Sequence, residues 1–134
     1  MTSAAPPDAL VLLAHGSPDP AWIAPIDATA ARIRRAVPAS CPVLVAVLEH
    51  GQTLAEAVRG LQAAGHRRVA VVPCFLSDGG RHLRRDIPAL VAALQESFTS
   101  IDLVLAPALG IDAAVQDALA AAAVRLAGFD ATSS

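Results

Sequence analysis

Four short runs of apolar residues recur along the chain, and each is followed by a longer segment that contains both apolar and polar residues. The runs occupy residues 9–14, 43–48, 69–73 and 101–106. Continuous apolar runs of this length, rich in Val and Leu, are typical of strands buried on both faces of a parallel sheet. The pattern therefore predicts four buried strands.

The segment after the first run is predicted to be a helix, because its apolar residues recur with a period close to 3.6 residues. These residues are Trp22, Ile23, Ile26, Ala30, Ile33 and Val37. Asp19 followed by Pro20 is a favourable helix start, because the Asp side chain can accept from the first turn and proline tolerates that position. Pro38 then predicts the end of this helix.

The three later helices carry similar end signals. Residues 53–56, Thr-Leu-Ala-Glu, form a capping box, and Gly65 is placed to end that helix in a left-handed conformation. Asp86 is predicted to cap the third helix. Asp112 is predicted to cap the fourth, which is rich in alanine and ends near Gly128.

Strand and helix thus alternate four times, which predicts an α/β domain with a parallel sheet and helices on both faces. Four strands are too few for a closed (β/α)₈ barrel. We expect a doubly wound sheet with strand order 2-1-3-4. A single domain is expected over residues 1–134, with frayed ends at 1–7 and 131–134.

Histidines follow two of the predicted strands at the point where ligands bind in such sheets. That point lies beyond the carboxyl ends of the strands, where the winding direction reverses, here between the first and third strands. His15 directly follows the first strand, and His82 lies in the glycine loop after the third. We expect the two imidazoles to meet, with Glu49 and His50 on the same rim.

Composition narrows the function classes. The chain has 134 residues, of which 54% are hydrophobic and 16% are charged. Its net charge is −2, so no charge excess indicates binding to nucleic acid or to a membrane surface. Lysine and tyrosine are absent, which excludes a Schiff-base lysine or P-loop and disfavours a base-stacking surface. Cys41 and Cys74 are interpreted as small buried residues in a reducing cytoplasm, and no signal peptide is predicted.

Two imidazoles at one opening predict a shared metal or proton-transfer site at His15 and His82. Neutral imidazole suits Co²⁺, Ni²⁺, Fe²⁺ and Zn²⁺, and two or three protein ligands leave a site open for transfer. Glu49 is either a third ligand or base, or an ordinary charged residue at a strand end. His50 and His66 are interpreted as surface residues, with His66 capping the second helix.

The neighbouring polar residues suggest ligand contacts. Ser17 lacks the Gly-x-Ser-x-Gly nucleophile elbow, so a hydrogen-bonding role is preferred, and hydrolysis through Ser17 is the last-ranked alternative. The loop glycines and arginines could hold carboxylates in a bidentate manner, although arginines on such a segment are commonly just solvated. These substrate-binding candidates are Gly79, Gly80, Arg81, Arg84 and Arg85.

Two segments resemble the signatures of the class II tetrapyrrole chelatases, in their short, single-domain sirohydrochlorin cobaltochelatase and ferrochelatase form. They are LLAHGSPDP at residues 12–20 and VPCFLSDGGRHLRRDIP at residues 72–88. The resemblance implies a lyase of the siroheme or cobalamin pathway that inserts Co²⁺ or Fe²⁺ into sirohydrochlorin without ATP. It implies His15 and His82 as metal ligands and catalytic residues with Glu49, no cofactor beyond the metal substrate, and a homodimer.

The segment at 49–53 departs from the family pattern. Relatives commonly carry a proline and a further acid there, whereas this chain has His50-Gly51-Gln52-Thr53. A histidine-rich insertion found in some nickel-inserting relatives is absent, which disfavours Ni²⁺. The altered loop keeps open an alternative, a module of the same fold that binds metal or tetrapyrrole without turnover.

Overall fold

The structure, a computed structural model, describes residues 5–80 and 82–130, with the side chains of residues 82 and 83 left out of the description. The strands are β1 (Ala9–Ala14), β2 (Val43–Val47), β3 (Arg68–Pro73) and β4 (Asp102–Leu105). The helices are α1 (Ala24–Ala36), α2 (Leu54–Ala63), α3 (Ile87–Ser97) and α4 (Ala113–Leu126). Frayed ends were predicted at 1–7 and 131–134, of which 1–4 and 131–134 lie outside the described residues.

All four strands are parallel, in the order β2-β1-β3-β4, as predicted. The main core lies on one face of the sheet, where α2 and α3 cover Val11, Val69 and Val71, which are fully buried. A smaller core lies on the other face, where Ala30 of α1 packs near Leu12. The doubly wound fold with helices on both faces is therefore confirmed.

Most helix ends follow the predicted capping chemistry. The Asp19 carboxylate accepts from the Ala21 N–H at 2.9 Å and opens a 3-10 turn, Pro20–Ile23, that leads into α1. Thr53 Oγ1 accepts from the Glu56 N–H at 3.1 Å, and Asp112 accepts from two N–H groups of the first turn of α4. Because these side chains satisfy donors that have no partner within the helix, they fix where each helix starts.

The start of the third helix differs from the prediction. Asp86 already has helical backbone angles and makes no side-chain cap, since a π-helical turn, His82–Asp86, runs directly into α3. The helical path therefore reaches back into the segment that carries the candidate site residues.

Two other expectations need correction. Trp22 and Ile23 belong to the 3-10 turn and are partly exposed, so they are not part of the buried stripe of α1. Cys41 and Cys74 are free thiols but only partly buried. Burial raises the pKa of both thiols, which disfavours the reactive thiolate.

A carboxylate ties the start of β1 to the start of β3. Asp8 accepts from the backbone N–H groups of Arg67 at 3.0 Å and Arg68 at 3.3 Å, and His66 Nδ1 lies 3.6 Å from it. The hydrogen bond from Arg67 is the largest cause that lowers the pKa of Asp8 below its ordinary value. Within the described residues, no helix is long and apolar enough to cross a membrane.

Replacing Asp8 with Asn tests this anchor. Because the folded protein lowers the pKa of Asp8, its charge stabilises the fold above the pKa of the unfolded chain, and this contribution is lost as the pH falls through the folded pKa. At pH 7 we expect Asp8→Asn to unfold at a lower denaturant concentration than the unmodified protein. Below about pH 4 the unfolding midpoints of the two proteins should become equal. Glu96→Gln, on an exposed helix position, should leave the curve unchanged. A difference in unfolding midpoint that does not change with pH would contradict a stabilising role of the Asp8 charge.

Candidate active site at the carboxyl edge of the sheet

Backbone hydrogen bonds hold the segments after β1 and β2 against each other. The His15 carbonyl accepts from the N–H groups of Leu48 at 3.2 Å and Glu49 at 3.1 Å. Gly16 has a φ of +93°, and a Cβ on it would overlap the backbone carbonyl oxygen of Glu49. Only glycine allows this approach, so Gly16 brings His15 and Glu49 to the same place.

The His15 ring points its second nitrogen at a carboxylate. Its Nδ1 lies 3.1 Å from the Gly16 carbonyl oxygen, which can only accept, so Nδ1 is the donor in this contact. Nε2 lies 3.8 Å from Glu49 Oε1. A hydrogen bond from Nδ1 to a carbonyl orients an imidazole so that its other nitrogen can bind a metal or take up a proton.

His50 completes the group on the other side of the carboxylate. Its Nε2 lies 3.4 Å from Glu49 Oε2, so the Glu49 carboxylate lies between the His15 and His50 rings. All three side chains are roughly half exposed. His50 was expected from the sequence on this rim, as a surface residue with no role, and its side chain lies there about half exposed. The residue also has a left-handed backbone, with a φ of +63°, which turns the chain back on itself.

The arrangement is suited to a cation or a proton. His15 Nε2 and the Glu49 carboxylate face each other at 3.8 Å, so a proton or a cation at this point would have both groups beside it. Within the part of the chain that the structure describes, no three His, Cys, Asp or Glu side chains meet in a geometry that could hold a metal ion. A complete coordination sphere would therefore need donors beyond the described side chains.

A cleft of about 250 Å³ opens beside this group, between the 3-10 turn before α1 and the end of β2. Trp22 and Ile23 form an apolar wall, and Asp19 and Asp27 add two carboxylates. Ser17 and His50 also line it. The exposed side of Trp22 and Ile23 thus belongs to the cleft, which the helical period could not show.

The segment after β3 is anchored to the same edge. The Cys74 N–H donates to the Leu13 carbonyl at 2.7 Å, and the Gly110 N–H donates to the Phe75 carbonyl at 2.8 Å. Ser77 Oγ accepts from the Gly79 N–H at 3.0 Å, and Gly80 has a φ of +90°. These contacts turn the chain into the helical segment that begins at His82.

The structure describes only some of the site residues that were predicted in that segment. Gly79 and Gly80 form the turn, and Arg84 and Arg85 are exposed on the segment His82–Asp86. Arg81 and the side chain of His82 lie outside the described residues. The meeting of the His15 and His82 rings therefore remains a prediction.

Ser17 has a structural partner. Its Oγ accepts from the Asp19 N–H at 3.1 Å and so shapes the turn before the 3-10 helix. The contact of Ser17 with substrate stays a prediction.

The parallel strands with helices on both faces define a doubly wound α/β protein, whose carboxyl edge carries the group formed by His15, Glu49 and His50. The CbiX family model matches residues 9–126. The chain therefore belongs to the CbiX family. A search of the curated proteins found no match.

Solved structures share the fold. A CbiX protein from Marinobacter aquaeolei VT8, named for cobalamin (vitamin B12) biosynthesis, is 27% identical with a TM-score of 0.77, the match covering 89% of this chain and 96% of that one. The sirohydrochlorin chelatase SirB from Bacillus subtilis subspecies spizizenii in complex with cobalt is 22% identical with a TM-score of 0.74, covering 89% and 49%. SirB from Bacillus subtilis with Fe³⁺ is 23% identical with a TM-score of 0.71, covering 87% and 45%. This chain thus spans about half the length of the SirB chains.

Gly16→Ala tests the close approach that builds the site. Gly65 is the matched control, because it has a φ of +92° but no atom within 4 Å of the Cβ position. Gly65→Ala should lose about 1–2 kcal/mol of unfolding free energy from the left-handed backbone alone. Gly16→Ala should lose more and should also weaken Co²⁺ binding measured by titration calorimetry. Equal losses in the two variants, with unchanged Co²⁺ binding, would show that the contact with Glu49 does not matter.

Proposed function

We propose that this chain is a metal chelatase, a lyase that inserts Co²⁺ or Fe²⁺ into sirohydrochlorin or a closely related tetrapyrrole without ATP. The observation that carries the proposal is the orientation of the His15 ring, whose Nδ1 contacts the Gly16 carbonyl and whose Nε2 lies 3.8 Å from Glu49 Oε1. The CbiX family match and the cobalt- and iron-containing SirB neighbours support it.

The reaction needs what this group of side chains supplies. A free macrocycle must lose two N–H protons while a divalent cation enters between its nitrogens. His15 can hold the metal on one side, and the imidazoles can accept the protons, since the unperturbed pKa of imidazole is about 6.5. Glu49, between His15 and His50, offsets the positive charge that the metal or the protons bring. In this proposal His82 is the second ligand.

Charge is divided across the edge of the sheet. Asp19 and Asp27 line the cleft beside Glu49, whereas Arg84 and Arg85 lie on the segment after β3. The acidic side suits the metal ion, and the arginines suit the carboxylates of sirohydrochlorin. In the proposed reaction Gly79, Gly80 and Arg81 shape the arginine side, and Ser17 contacts the substrate at the cleft.

The size of the cleft supports a homodimer. Pockets for drug-sized ligands have volumes of about 300–1,000 Å³, and the cleft here has about 250 Å³. A tetrapyrrole with several carboxylate arms would extend beyond it, and a second copy would cover the exposed part. The two free cysteines suit a reducing compartment, so we place the homodimer in the cytoplasm.

Metal insertion into sirohydrochlorin tests the catalytic roles. With Co²⁺ or Fe²⁺ added, the full chain should convert the absorbance spectrum of sirohydrochlorin to that of the metal complex. His15→Ala and His82→Ala should each lower the initial rate by about 100-fold or more, because each removes a ligand and a proton acceptor. His66→Ala, whose ring lies beside Asp8 at the opposite edge, is the control. Unchanged rates would contradict the assigned roles, and binding without conversion would contradict the enzyme.

Arg84→Ala and Arg85→Ala separate substrate binding from chemistry. If these guanidinium groups hold carboxylates of the ground state, the variants should raise KM severalfold and leave kcat nearly unchanged. The rise should shrink at high salt, which screens exposed charges. Arg32→Ala, on α1, is the control, since Arg32 bonds within its own helix to the Ala28 carbonyl. A fall in kcat at constant KM would contradict the binding role.

A further inference from the structure

His50 has a backbone conformation that glycine would adopt at lower cost. Among the residues that the structure describes, it is the one non-glycine residue with a positive φ, at +63°. In this left-handed region the Cβ of an L-residue comes too close to the following carbonyl oxygen, whereas glycine has no Cβ. Backbone strain that the surrounding structure maintains is concentrated at functional sites. A side chain kept at such a position is expected to have a role of its own.

The turn around His50 is held by backbone hydrogen bonds on both sides. Before it, the Glu49 N–H donates to the His15 carbonyl at 3.1 Å. Across it, the Val47 N–H donates to the Gln52 carbonyl at 2.8 Å. Neither bond uses the imidazole, so the same turn would form with glycine at this position. The reason for a histidine here therefore lies in the contacts of its ring.

The ring of His50 contacts the Glu49 carboxylate at one oxygen, and the ring of His15 faces the other oxygen. His50 Nε2 lies 3.4 Å from Glu49 Oε2, and His15 Nε2 lies 3.8 Å from Glu49 Oε1. A carboxylate only accepts, and an imidazole can donate to it from Nε2 either as the cation or as one of its neutral tautomers. The contact at Oε2 thus leaves Oε1 directed at His15.

The Glu49 side chain needs such a contact to stay in place. It is 55% exposed. Glutamate has one of the larger side-chain entropies, so a carboxylate without a partner would sample other rotamers in the solvent. Holding it toward His15 preorganises the two groups, because less freedom is then lost when a cation binds.

We propose that His50 is a positioning residue, whose ring holds the Glu49 carboxylate toward His15 so that carboxylate and imidazole together receive the divalent metal substrate. The identity of the reaction rests on the proposed function, whereas the contact itself does not. His50 acts through Glu49 and is not a metal ligand. Partners that orient the groups around a metal change its affinity by about 10–100-fold, and this is the effect expected of His50.

His50→Gly removes the ring and keeps the turn. We expect it to unfold at the same denaturant concentration as the unmodified protein or at a higher one, because the left-handed strain is relieved. The Kd for Co²⁺ alone, measured by titration calorimetry on the full chain, should rise about tenfold or more. In metal insertion the KM for Co²⁺ should rise, and the KM for sirohydrochlorin should stay nearly unchanged. His66→Ala, beside Asp8 at the opposite edge, is the control and should bind Co²⁺ like the unmodified protein.

Two further variants show whether His50 acts through Glu49. His50→Gln keeps an N–H donor on a side chain of similar reach but cannot take up a proton near neutral pH, so it should restore most of the Co²⁺ affinity. In a Glu49→Ala background, where no carboxylate remains to be held, His50→Gly should cause no further loss of Co²⁺ affinity.

The outcomes separate the role of His50 from the chelatase reaction. Unchanged Co²⁺ binding in His50→Gly would overturn the positioning role, and so would an equal loss in the Glu49→Ala background. A His50→Gln variant as weak as His50→Gly would overturn it too, because the ring would then act through its proton or as a ligand. If Co²⁺ affinity follows the expected order but sirohydrochlorin is never converted, the role of His50 is supported and the chelatase is contradicted.

Discussion

The site depends on one close backbone contact, where the segment after β1 meets the segment after β2. The His15 carbonyl accepts from two successive N–H groups of the β2 segment, and Gly16 leaves room for the Glu49 carbonyl. This contact sets the His15 ring, through its bond to Gly16, against the Glu49 carboxylate. The parallel pairing of β1 with β2 supplies the register that makes the contact possible.

Two surfaces that differ in chemistry meet at this edge. One side carries carboxylates and imidazoles beside a small cleft, and the other carries Arg84 and Arg85 on a helical segment. A substrate that combines a metal centre with peripheral carboxylates would use both sides.

The fold was predictable from the sequence because its determinants are local. Short apolar runs, caps at Asp19, Thr53 and Asp112, and the glycine at Gly65 specify four strand–helix units. Parallel strands then place the carboxyl ends at one edge, which is why His15 and Glu49 could be expected as neighbours. The strand order 2-1-3-4 followed from the same reasoning and is the order observed.

The remaining features depend on geometry that spacing does not encode. His50 joins the site because its backbone takes a left-handed turn, and Trp22 lines a cleft because its turn is 3-10 rather than α. The sequence predicted α4 as an alanine-rich helix but did not indicate that its described side chains would all stay unburied. Asp86 stands directly before α3 as predicted but does not cap it with its side chain, because a π-helical turn precedes the helix and the sequence pattern does not distinguish such a turn from a loop.

Anomalous diffraction at the cobalt edge, from a crystal of the full chain grown with Co²⁺, tests the central claim most directly. The account predicts a cobalt peak about 2.1 Å from His15 Nε2, on the side that faces Glu49, with the ring of His82 as the second imidazole ligand. Cobalt bound elsewhere, or a His15 ring turned so that Nε2 faces away from the metal, would contradict it.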